Sequence, residues 1–125
     1  LQIKRIGSKL KDMAAIGNTA GELIINYVQG DDITETLSFF DETGAAITID
    51  TWAWEMVIKK CDGTVLETYN TAPAITFDDD NVLRITVDDT TAISDELIDA
   101  KHTISATVAG IKRTYFFGQF KAQKI

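Results

Sequence analysis

The 125-residue chain carries 19 acidic against 12 basic side chains, a net charge of −7 at pH 7, with 45% hydrophobic residues. That length suits one domain burying about two-thirds of its unfolded surface. Its apolar runs are too short for a membrane span or a signal-peptide core, and its single cysteine, Cys61, excludes an internal disulfide. The chain opens on Leu1 rather than Met, as a trimmed chain or a fragment does.

Charge is unevenly spread. Residues 1–20 sum to +3, residues 111–125 to +4, and the body between them to −14. So acidic a body repels nucleic-acid phosphates, and neither a nucleic-acid nor a membrane partner is expected. The basic ends either meet acidic surfaces of neighbouring copies or are solvated lysines at frayed termini.

In chain order, residues 1–20 read as an N-terminal arm. Ile3, Ile6, Leu10 and Met13 recur at helical spacing, so the arm is expected to be helical if docked and disordered if not. Those four side chains are its interface candidates. From residue 21 to 125 the pattern becomes that of strands. A strand over 23–28 precedes one over 33–40, with Ile33, Leu37 and Phe39 inward and Glu35 near the rim. Asp41-Glu42-Thr43-Gly44 is a turn. After the short segment 46–49, Trp52, Trp54, Met56 and Ile58 alternate on one face of a strand. Asp62-Gly63 predicts a type I′ hairpin into residues 64–69. Pro73 separates strands. Residues 75–77 and 82–87 flank Asp78-Asp79-Asp80-Asn81 as another hairpin, with Leu83, Ile85 and Val87 inward.

Asp88-Asp89-Thr90-Thr91 offers N-caps for one short helix at about 90–98. Residues 101–108 then alternate, with His102, Ile104, Ala106 and Val108 inward, and Gly110 turns the chain into a last strand over 112–120. About seven to nine short antiparallel strands at this spacing describe an all-β sandwich.

Chemistry finds little to work with. His102 faces the core and Cys61 sits in a turn, so a Cys–His nucleophile pair is not expected. Zinc lacks ligands, and no phosphate-binding glycine loop occurs. No enzymatic activity and no cofactor is expected. Asp78, Asp79, Asp80 and Asn81 are either a structural turn or a calcium site, although their spacing is not that of an EF-hand. Trp52 and Trp54 are either core residues or a platform for sugar rings. Tyr115, Phe116 and Phe117 are consecutive and cannot share one face. With Phe116 and Phe120 inward, Tyr115 and Phe117 point outward and become interface candidates.

The order of turn and strand signals carries a resemblance. Gly30-Asp31, Asp41-Glu42-Thr43-Gly44, Ile47-Thr48-Ile49-Asp50 and Trp52 come first. Lys60-Cys61-Asp62-Gly63-Thr64-Val65, Ile75-Thr76-Phe77-Asp78, Ile85-Thr86-Val87-Asp88, Thr91-Ala92-Ile93 and Gly118-Gln119-Phe120 follow. The set resembles the immunoglobulin-like domain at the N-terminus of bacteriophage baseplate upper proteins and related prophage tail proteins. It departs at Ser94-Asp95-Glu96-Leu97-Ile98-Asp99, where the family has a Leu-Pro-Gly-like link, and the arm before Glu22 has no counterpart. The resemblance implies an immunoglobulin-like β-sandwich acting as a structural part of a virion tail, made in the bacterial cytoplasm. Its partners would be other tail or baseplate proteins, and copies of itself in a trimer or hexamer. The alternative is a sandwich that binds carbohydrate or a host surface through Trp52 or Trp54.

Overall fold

The computed structural model describes residues 2–6, 12–13, 20–28, 31–70, 74–87 and 100–123. Among the described residues there are eleven strand segments: β1 (Gln2–Ile6), β2 (Asp12–Met13), β3 (Gly21–Glu22), β4 (Ile25–Val28), β5 (Ile33–Phe40), β6 (Ala53–Lys59), β7 (Val65–Tyr69), β8 (Ile75–Asp79), β9 (Val82–Val87), β10 (Ala100–Val108) and β11 (Ile111–Gln123). They form two sheets, β2-β1-β5-β9-β8 and β3-β11-β10-β6-β7, with β4 continuing β3 along β11.

Alternation explains the packing. Trp54, Met56 and Ile58 on β6, Leu37 and Phe39 on β5, and Leu83, Ile85 and Val87 on β9 are all buried. These inward faces fill the space between the sheets. The strand order is that of an immunoglobulin-like sandwich. One sheet runs through the first, second, fifth and fourth strands of the motif, and the other carries the last strand beside the sixth and third. The buried tryptophan such domains place on their third strand is Trp54, on β6. The first strand is divided between the sheets. β1 pairs antiparallel with β5, while β3 and β4 run parallel to β11. Of the strands expected to be antiparallel, β3 and β4 are the exceptions.

The amino-terminal arm is corrected as well. Residues 2–6 are a strand rather than a helical turn, and Ile3 is a core residue at 1% exposure. Pairing with β5 satisfies every second backbone group of β1, which a lone helical turn would leave to water. The sandwich therefore takes in residues assigned to the arm. Met13 belongs to the two-residue β2, opposite Ile3. Ile6 is half exposed at the end of β1. Leu10 and the helix expected at 90–98 lie outside the described residues. Glu35, expected at a rim, is buried and forms an ion pair with Arg5 on β1, whose Nε donates across 2.8 Å.

The type I′ turn expected at Asp62-Gly63 is not found there. At Asp62-Gly63 only Gly63 has positive φ, and the Gly63 N–H bonds the Lys60 carbonyl at 3.0 Å. This is a three-residue loop with glycine in the left-handed position, in place of the type I′ turn. The type I′ geometry falls instead at Ala109-Gly110 between β10 and β11, with φ of 52° and 80°.

Candidate functional site at the loop end of the sandwich

Three connections meet at one end of the molecule: residues 41–52 between β5 and β6, the β8–β9 turn, and the β10–β11 turn. Asp41 shapes the first. Its Oδ1 accepts from Thr43 Oγ1 at 2.6 Å, Thr43 N–H at 2.9 Å and Ala45 N–H at 3.0 Å. These bonds, the Thr43 hydroxyl foremost, hold its carboxyl below the usual carboxylate range. Ile49 then plugs the end of the core at 0% exposure. Its N–H bonds the Asp80 carbonyl at 2.8 Å, tying this loop to the β8–β9 turn. Its own carbonyl accepts from Trp52 N–H at 3.2 Å and from Trp54 Nε1 at 3.0 Å.

That double anchor sets the two tryptophans. Trp54 is buried at 2%, so it is a core residue and not a platform. Trp52 is only half buried. Ring centroids of Trp52, Trp54 and Tyr115 lie 5.9, 5.8 and 5.4 Å apart, a nearly equilateral triangle. Trp54 and Tyr115 therefore cannot sandwich Trp52, and among the described residues one face of its indole has no aromatic cover.

Trp52 lines a groove of about 370 Å³ together with Ala106, Val108, Ile111, Arg113 and Tyr115. Ile111 is 73% exposed and Val108 40%. Arg113 lies over the Tyr115 ring, 5.2 Å from its centroid. It makes no ion pair among the described residues, whereas its neighbour Lys112 bonds Glu55 at 3.0 Å.

Tyr115 corrects the sequence-based expectation of an outward ring. The β10–β11 register shifts between Ile104 and Ser105, so Ser105 pairs with Thr114 and Ile104 with Phe116. Tyr115 is the extra residue of a β-bulge, and both it and Phe116 are buried, at 5% and 0%. Phe117 keeps its outward position, at 45% exposure. It stands on the outer face of the sheet beside a second concavity of about 460 Å³, with Glu22, Ile24, Lys101 and Gln119. Val108, expected inward by alternation, is exposed because the opposing sheet ends short of the hairpin tip, and Ile111 and Arg113 were not singled out as site residues from the sequence. The available signal was a two-residue turn flanked by exposed aliphatic side chains, Val108-Ala109-Gly110-Ile111.

The acidic turn is engaged locally. Arg84 donates to Asp78 through Nε at 2.8 and 3.0 Å and through a terminal nitrogen at 2.5 Å, which lowers the Asp78 pKa. Asp79 accepts from Asp80 N–H at 2.9 Å, and Asn81 Nδ2 donates to the Phe39 carbonyl at 3.4 Å. Among the described residues no group of three or more metal-ligating side chains converges.

His102 is spent on architecture. Its Nε2 lies 2.5 Å from the Leu23 carbonyl oxygen, which can only accept, so Nε2 carries the proton. Its Nδ1 is buried and has no hydrogen-bond partner among the described residues, and burial, with Arg5 nearby, lowers its pKa. Cys61 is exposed in the β6–β7 turn, so the two residues share no pocket. No protein-family model and no curated protein matches the chain.

Proposed function

We propose that this chain is a non-catalytic assembly module of a phage or prophage tail, of the baseplate type, acting through protein–protein contacts. One observation carries the reading: an apolar strip, Trp52, Val108 and Ile111, left uncovered at the loop end of an immunoglobulin-like sandwich. Exposed apolar surface of this kind marks contact sites. The order of turn motifs from Gly30 to Phe120 gives the tail context. His102 bonds a backbone carbonyl and Cys61 lies in an exposed turn, so these two do not form a nucleophile–base pair.

Light scattering on a size-exclusion column, with electron microscopy of the peak, tests the reading. The expected result is a ring of three or six chains. A monomer at every concentration, in the presence and absence of tail fractions, would remove it. Glycan binding is the second reading, favoured by the open face of Trp52, and it predicts a change in tryptophan emission on titration with sugars.

A further inference from the structure

The groove at the β10–β11 tip is built for one kind of occupant. Five of its six lining side chains are apolar or aromatic: Trp52, Ala106, Val108, Ile111 and Tyr115. The sixth, Arg113, is its only charge, and that charge has no carboxylate among the described residues. Arg113 lies over the Tyr115 ring, a cation–π contact that favours the guanidinium at the groove. A sugar ring needs several polar side chains to answer its hydroxyls, and this lining offers one charged group. A phosphate would suit the guanidinium, but the net charge of −7 disfavours a dianion, and phosphate leaves the apolar wall unused.

We propose that this groove takes a segment of a different protein, with an aliphatic or aromatic side chain within two residues of an Asp or Glu. The apolar side chain lies against the free face of Trp52 between Val108 and Ile111. The carboxylate meets Arg113, with a bidentate geometry that an ammonium in its place would not give. The turn beneath is a two-residue type I′ connection, with positive φ at both Ala109 and Gly110. This assignment rests on the reading of the loop end as a contact surface; it gives the groove to a partner protein, so the expected ring of copies closes through other surfaces and survives Ile111→Glu.

The test is selection of ribosome-displayed random dodecapeptides on the full immobilised chain, followed by titration of the synthetic consensus peptide against tryptophan emission. The expected consensus pairs an apolar residue with an acid. Arg113→Glu should weaken that peptide roughly tenfold or more, and a peptide with Lys in place of its acid should recover binding to the Arg113→Glu chain. Ile111→Glu, at a position 73% exposed, should abolish binding without moving the melting temperature. A basic consensus, an absence of enrichment, or binding indifferent to Arg113 and Ile111 would overturn the assignment. So would a self-associated chain that Ile111→Glu turns into a monomer, because the occupant would then be a second copy. Glycan-array binding that depends on Trp52 would overturn it too. Peptide binding by a chain that forms no ring would uphold the groove while removing the tail-ring reading, so the two failures are told apart.

Discussion

Gly118→Ala tests how the divided first strand is held. A Cβ on Gly118 would lie 2.3 Å from the Leu23 carbonyl oxygen, 2.9 Å from its carbonyl carbon and 3.3 Å from its nitrogen. All three are backbone atoms, so no rotamer change relieves the clash, and residues 21–28 must move away from β11. Leu23 N–H would lose its 2.9 Å bond to the Phe117 carbonyl, and His102 Nε2 would lose the Leu23 carbonyl. Overpacking costs about 1–3 kcal/mol, and each buried hydrogen bond left unmade adds about 1 kcal/mol. The expected loss is therefore about 3–5 kcal/mol by the same two terms, lowering Tm by about 12–20 °C in a domain of this size. Urea and thermal unfolding followed by circular dichroism measure it. Gly110→Ala is the control. It too has positive φ, but nothing lies within 4 Å of its Cβ position, so only backbone strain of about 1–2 kcal/mol is expected. A Gly118→Ala loss below that of Gly110→Ala would refute the close approach of Leu23.

Three more outcomes are expected. His102 has a folded-state pKa below its unfolded value near 6.5, so the unfolded chain binds the extra proton. Stability is then fully present above about pH 6.5 and falls as pH drops toward the folded pKa, by at most about 1.4 kcal/mol per pH unit. His102→Gln should flatten that part of a Tm–pH profile. Arg5→Met should destabilise by about 3 kcal/mol in urea unfolding, because it strands the Glu35 carboxylate between strands. The pair Arg5→Met with Glu35→Leu should recover most of that loss, since side-chain exposures near a tenth make this a nearly buried ion pair. Trp54→Phe should cost about 2 kcal/mol in the same assay, through lost volume and the lost bond to Ile49. Trp52→Phe, half exposed, should cost less than half of that.

The candidate site shows where local reading stops. Trp52 and Trp54 are equivalent by alternation, and both were open to core or platform roles. The structure separates them because the opposing sheet and the Ile49 plug cover Trp54 and stop short of Trp52. Tyr115 was assigned outward by strict alternation. A bulge is a property of two paired strands, so nothing in the segment 112–120 alone announces the extra residue.

From sequence alone the two-residue periods of β5, β6, β9 and β10, with the turn residues between them, determined an all-β sandwich and its inward faces. Those signals are local, carried by neighbours one to four residues apart. The tertiary structure decided what depends on partners far along the chain. Ile3 and Ile6 fit a helical stripe until β5 offers β1 a ladder, and Glu35 looks misplaced until Arg5 arrives from 30 residues away. The role proposed for Arg113 depends on Tyr115 being turned under it and on Trp52 lining the same groove. Pairing register and the extent of the covering sheet, which alternation cannot encode, set all three.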